Sequence, residues 1–254
     1  MGIAIGSNPA VERDDPILSF HDPETGDGFD VELISEGGRF NINAILLRED
    51  LALLRSLFIK WGLDMDTAAA LADALADWVD ADDEVRLNGA EREWYEARGR
   101  INQPFNRPFY DFSEMRLVRD MDLIEALRPD WRDWFTIHSG GMLDINEARA
   151  EMIAVAAEVS VEQASAIPEI VNGPDGILGT EDDQPFQDVA QALAIIGVSA
   201  EARPDIAARF TVGETTTRVV STGYVGEATR RITAILRNRT GQPVLLERTE
   251  EIIP

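Results

Sequence analysis

The sequence predicts an α+β protein, with strands near both ends of the chain and helices between them. Three observations carry that prediction. Near the start, the extended segments PILSF and DVELI flank DPETGDGF, whose glycines and acids favour a tight turn. In the middle, apolar residues recur at three- and four-residue spacing. At the end, TRVVSTGYVGEATRRITAILRNRTGQPVLLERTEEI is rich in Val, Ile and Thr. It is punctuated by Gly223, Gly226 and the Thr240-Gly241 pair, the pattern of an antiparallel meander of about three strands.

Taken in order, MGIAIGSNPAVERDDP has neither a basic n-region nor an apolar run long enough for a signal peptide or a membrane span. Ile3 and Ile5 read as the end of a strand or a truncated helix rather than part of a myristoylation signal. Leu51, Leu54, Leu57 and Phe58 predict a helix that stops before Gly62. A second helix runs from Asp66 to about Val79, its stripe of Ala70, Leu71, Ala74, Leu75 and Trp78 facing the core. A third begins near Ala90, Ser113 is placed to cap another, and a last one covers Ala192–Ile196.

The composition narrows the function. A chain of 254 residues with 44% hydrophobic residues and a mean hydropathy of -0.15 can bury a core and is water-soluble in character. Its net charge of -24 repels phosphate backbones and makes cations the natural ligands, so no nucleic-acid partner is expected. Lys60 is the sole lysine, and the absence of cysteine removes disulfides and thiolate metal sites. The acidity is not uniform: residues 210–254 sum to +1, five acids against six arginines, which leaves -25 on residues 1–209.

An internal echo links GGRFNINAILLRED (37–50) to GGMLDINEARAEM (141–153): two glycines, a short strand-like run, Ile-Asn, then a helical pattern. It predicts two similar strand-to-helix junctions with Asn43 and Asn146 as helix N-caps.

Two acidic loops are the candidate sites. In DWVDADDEVRLNGAERE (77–93), seven acids face two arginines. Numbered from Asp80, oxygen donors fall at positions one, three, five, nine and twelve: Asp80, Asp82, Glu84, Asn88 and Glu91. Those are the ligand positions of a helix-loop-helix calcium site, where Arg86 at seven would give its carbonyl. Position six is Val85, where such a loop wants glycine, and the first glycine comes only at Gly89. Spacing alone leaves a solvated, helix-capping loop and a calcium site as equal readings, with Asp77 and Glu93 facing solvent in either. In the second loop, NGPDGILGTEDDQPF (172–186), Asp175, Glu181, Asp182 and Asp183 surround a glycine-rich turn that could wrap a cation or simply expose its acids.

Enzyme signatures are poor. His21 and His138 stand apart from any zinc spacing, and no nucleophile elbow or phosphate loop occurs. Acids are so plentiful that a carboxylate pair carries no signal for hydrolysis.

Four segments, GRFNINAIL, LADALADWVDADDEVRLNGAEREWY, NRPFYDFSEMRLVRDM and GGMLDINEA, run in an order and spacing that resembles the K-type minor pseudopilins of type II secretion systems. The resemblance is specific over about 37–150 and continues more weakly to the C-terminal strands. It implies a pilin-like antiparallel sheet with a large inserted helical (helix-hairpin-helix/SAM-like) domain. Residues 1–45 would begin the pilin-like domain, 46–140 form the inserted helical domain, 141–205 a second small helical segment, and 206–254 the completing meander. It also implies a non-enzymatic, calcium-binding subunit at the tip of the periplasmic pseudopilus, on the periplasmic face of the bacterial inner membrane, with the I and J minor pseudopilins as partners. Members begin with a basic leader and a long apolar anchor helix, so membrane contact is expected only through such a helix, which these 254 residues lack. Asn146, Glu147 and Ala148 replace the usual Asn-Thr-Ala ending of the second junction. The alternative is a free-standing calcium-stabilised protein-binding module unrelated to secretion.

Overall fold

The computed structural model describes residues 17–238 and 242–253, so the expectations for Ile3, Ile5 and Thr240-Gly241 lie outside the described residues. The chain opens with β1 (Ile17–His21) and β2 (Gly28–Ser35). A short β3 (Phe40–Asn41) leads into α1 (Ile42–Leu47), α2 (Leu51–Lys60), α3 (Met65–Val79) and α4 (Arg92–Glu96). After a 3-10 segment at Phe112–Leu117 come α5 (Met121–Leu127), a 3-10 turn at Trp131–Trp134 and β4 (Phe135–Thr136). Next are β5 (Leu143–Asp144), α6 (Ala150–Ala156), α7 (Val161–Ala164), α8 (Ala166–Val171), α9 (Val189–Ile195), α10 (Pro204–Ala207) and β6 (Phe210–Thr211). The chain finishes with β7 (Thr217–Val225), β8 (Ala228–Arg237) and β9 (Val244–Ile253).

The main sheet has the order β1-β2-β7-β8-β9 and is antiparallel throughout. The expected hairpin and meander are therefore both present, and the helical part is inserted between neighbouring strands β2 and β7. Asp22 closes the first turn by accepting the Glu24 N–H at 2.7 Å, and its own N–H donates to the Asp27 carbonyl at 2.8 Å.

The core lies in the helical part. Buried side chains from Phe40 to Phe210 form one contiguous cluster. Asp64 starts α3 by accepting the N–H groups of Asp66 and Thr67, both at 3.0 Å. The helix buries Ala68, Leu71, Ala72, Ala74, Leu75 and Trp78 and packs on α2 and α1. Trp78 meets Tyr95 and Phe105 edge-on, with ring centroids 5.4 and 5.1 Å away.

Three expected caps belong to neighbouring residues. Asn41, not Asn43, caps α1 by accepting the Ala44 N–H at 3.1 Å. Asp111, not Ser113, caps the Phe112–Leu117 segment, in a capping box with Glu114. Arg149, without a side-chain bond, stands at the start of α6 in place of Asn146. The two asparagines do something longer-range. The Asn43 amide donates to the Phe109 carbonyl and accepts the Phe109 N–H, both at 2.9 Å. Asn146 does the same to Phe186, at 2.9 and 2.8 Å.

These anchors extend the internal echo into two like units. β3 pairs in parallel with β4, and β5 with β6. Each partner strand ends a matching stretch, RPDWRDWFT (128–136) and RPDIAARFT (203–211), in which Arg128 pairs with Asp130 at 2.7 Å and Arg203 with Asp205 at 2.8 Å. In each unit an acidic loop follows a helix; the second runs directly to Phe186, whereas α4 separates the first from Phe109.

Replacing either asparagine strands both polar groups of a phenylalanine backbone. Asn43→Ala and Asn146→Ala should each cost roughly 2 kcal/mol, read as a lowered midpoint in urea unfolding with an unchanged slope. A loss below about 0.5 kcal/mol would remove the anchors from the account of the fold.

Candidate metal centre

Asp73, Asp77 and Asp80 follow one another at helical spacing along α3, which sets like charges on one face. Each is handled differently. Asp73, 4% exposed, pairs with Arg55 at 2.8 Å and accepts the Asn88 N–H at 3.3 Å. Asp77 is fully buried and accepts the Arg86 N–H at 3.4 and 3.3 Å from its two oxygens. Asp80 is the residue at which α3 ends and the chain turns away.

The loop then comes back beneath the helix. Gly89 passes so close to Asp77 that a Cβ there would lie 1.9 Å from Asp77 Oδ2. The next turn begins at Glu91, whose carboxylate is not spent on capping α4. Carboxylate oxygens of Asp77, Asp80 and Glu91 all lie within 4.8 Å of one another, the one such group of three among the described residues.

Crowding and dehydration shape the electrostatics. Burial, helped by the charge of Asp80, pushes Asp77 up to about 6. Burial, then the charges of Asp77, Asp80 and Asp83, pushes Glu91 up to about 7. Burial also raises Asp80. Asp80 Oδ1 and both oxygens of Glu91 are buried without a hydrogen-bond partner. An all-oxygen set of three anionic groups, with orphaned lone pairs aimed together and a glycine that makes room, fits a hard divalent cation such as calcium, which takes roughly six to eight oxygens. Asp77, Asp80 and Glu91 are the residues that would hold it.

Asp77 therefore does not face solvent, which corrects the expectation for that residue; the spacing of Asp73, Asp77 and Asp80 on one helix was the available signal. The other first-loop candidates lie outside the cluster. Asp82 accepts the Glu84 N–H at 2.8 Å, Glu84 and Asn88 are exposed, and Glu93 is exposed. In the second loop the acids mostly hold the loop itself. Asp175 accepts the Ile177 N–H at 2.8 Å and Asp183 the Gly179 N–H at 2.8 Å. Asp182 accepts the Asp175 N–H at 3.2 Å and the Thr180 hydroxyl at 2.7 Å, while Glu181 is exposed. Asp183 Oδ1 is buried without a partner.

Comparison with known proteins gives this geometry a context. A family model described as type II secretion system (T2SS), protein K, matches residues 38–130, which include the whole cluster. The type II secretion system protein K of Pseudomonas aeruginosa is 29% identical over 162 residues, 60% of this chain and 46% of that protein. That of Klebsiella pneumoniae is 38% identical over 101 residues, 35% of this chain and 31% of that protein. The chain thus spans less than half the length of these curated relatives. Among solved structures, a chain of the GspK-GspI-GspJ complex from the enterotoxigenic Escherichia coli type 2 secretion system has the same fold. The TM-score is 0.69 at 19% identity, over 92% of this chain and 82% of that chain.

Because Asp77 and Glu91 bind protons more tightly folded than unfolded, their contribution is most favourable below the unfolded carboxylate range. It is lost as pH rises through about 6 and 7. In chelator, the melting temperature should therefore fall between about pH 4 and pH 7 relative to an Asp77→Asn, Glu91→Gln double variant. Calcium at a hundredfold excess over its Kd should raise the melting temperature by about 5–10 °C at pH 7.5 and by much less at pH 5. Glu91→Gln and Gly89→Ala should abolish that rise.

Proposed function

We propose that the chain is a minor pseudopilin of the protein K type of type II secretion systems, whose task is assembly rather than catalysis. The observation that carries this reading is the match of the protein K model over residues 38–130, a span that holds the cluster of Asp77, Asp80 and Glu91. Its partners in this reading are the I and J minor pseudopilins, as in the Escherichia coli complex of the same fold. Its place is the pseudopilus tip at the periplasmic face of the inner membrane. Among the described residues, no helix is long and apolar enough to cross a membrane.

The cation has a structural part in this mechanism. Asp77, Asp80 and Glu91 would bind it, and the charge it supplies would cancel their repulsion and fix the loop from Asp80 to Glu91 against the end of α3. The chain's own groups do the positioning. The Arg86 N–H orients Asp77 and Gly89 admits it, while Trp78, next to Asp77 on α3, is buried against Tyr95. A rigid loop presents one surface to a neighbouring subunit and spares the ordering cost at assembly.

Mixing the purified chain with the soluble domains of the I and J pseudopilins from the same system, in millimolar calcium, should give one ternary species by size-exclusion chromatography with light scattering. Elution of this chain apart from both partners would sink the assembly role.

A further inference from the structure

The cluster already contains a positive group. Arg86 lies in the loop itself, with Nε 3.6 Å from Asp77 Oδ1 and Nη2 3.4 Å from Asp80 Oδ2. The same Nη2 stands 3.7 Å from Glu49 Oε1, on the turn between α1 and α2. None of these contacts is a hydrogen bond, and Arg86 Nε is buried without a hydrogen-bond partner. That is unusual for a structural arginine, whose planar fork normally seats on a carboxylate through two short bonds. Elsewhere this chain does seat arginines so. Arg128 binds Asp130 at 2.9 and 2.7 Å, and Arg209 binds Asp50 at 2.7 and 3.0 Å. The Arg86 guanidinium is held near its acids by charge alone, while the backbone N–H of the same residue bonds Asp77.

Arg86 also leaves the cluster unbalanced. It reaches Asp77 and Asp80 but not Glu91, which is 5% exposed with both oxygens unpartnered. Three carboxylates outnumber the one guanidinium, which reaches only two of them. That ion and the guanidinium would draw on the same carboxylates of Asp77 and Asp80, and two cations so close repel. Glu49, with its side chain 77% exposed, is already within reach of Nη2 on the outer side.

We propose that Arg86 is a displaceable internal counter-ion, holding Asp77 and Asp80 until a divalent cation takes them and then transferring its guanidinium to Glu49. The inference rests on the cation reading of the site given above. It makes cation binding an exchange of one positive group for another. It also couples the acidic loop to the turn between α1 and α2, because the guanidinium, now 3.7 Å from Glu49, would close fully on it when the ion is bound.

The test is a calorimetric calcium titration of the full chain, wild type against Arg86→Met and Glu49→Gln. Removing the competing charge should tighten calcium binding by roughly tenfold in Arg86→Met, whereas Glu49→Gln should weaken it severalfold. If wild type binds calcium and Arg86→Met binds it equally or more weakly, the exchange is wrong while the cation site stands. If neither binds, the cation reading fails and the exchange fails with it. Should Arg86→Met not fold in chelator, the Nε–H resonance of Arg86 in the wild-type chain decides the matter. Calcium should move it to the chemical shift and solvent exchange of an exposed arginine, and an unmoved resonance at saturating calcium would overturn displacement.

Discussion

Strands β2 and β7 are neighbours in the sheet although the whole helical part lies between them in sequence, so the excursion that leaves at Ser35 must return at Thr217 directly opposite. Everything else is hung from that pairing. The Glu36 N–H donates to the Thr216 carbonyl at 3.0 Å, extending the ladder one step into the junction. The Glu36 carboxylate is fully buried there, and it is tolerable only because it is matched. Arg218 Nε lies 2.8 Å from it, Arg39 Nη1 lies 3.8 Å away, and the Thr136 hydroxyl donates to it. Glu214 repeats the arrangement a few residues away, accepting from the N–H groups of Gly140 at 2.6 Å and Thr216 at 2.9 Å. Its own N–H donates to Asp144 at 2.8 Å. Two acids thus tie the outgoing chain, the returning chain and the middle of the helical part together.

The same residue type behaves in opposite ways in two places. At the junction the buried Glu36 and the half-buried Glu214 have arginines or N–H groups beside them, although Glu36 Oε1 itself has no hydrogen-bond partner. Beside α3, dehydration and mutual repulsion act on Asp77, Asp80 and Glu91 together, and the arginine nearest to them is only loosely engaged. In a chain of net charge -24, the contrast separates acids with arginines beside them from acids that chiefly crowd one another.

Much of the architecture was legible because it depends on local pattern. The stripe of α3 is a direct consequence of 3.6-residue periodicity, and the meander of β7, β8 and β9 follows from β-branched residues broken by Gly226. What was not legible depends on distance. Asn43 finds its partner at Phe109 and Asn146 at Phe186, so a capping rule that looks only three residues ahead assigns them the wrong role. The short parallel pairs of β3 with β4 and β5 with β6 are two residues long and give no periodic signal. In the site, a calcium-loop template drew attention to the stretch that holds the carboxylate cluster, yet the loop turns at Gly89 rather than at its sixth position. Asp80 and Glu91 consequently converge with Asp77 while Asp82 and Glu84 point elsewhere. Asp77 was overlooked because an acid at the end of a helix reads as solvated, and only its spacing from Asp73 and Asp80 speaks against that.

The two asparagine anchors have a consequence for how the helical part can move. The second acidic loop begins at the end of α8 and runs into Phe186, and the first reaches Phe109 only after α4; each phenylalanine backbone is gripped on both sides by a side-chain amide. Those grips act as firebreaks. A rearrangement on the near side, whether of charge or of backbone, meets a fixed point before it reaches Asp111 or Asp188 and the turns they start. The chain has thereby placed a fixed backbone point between each of its charged segments and the turn that follows.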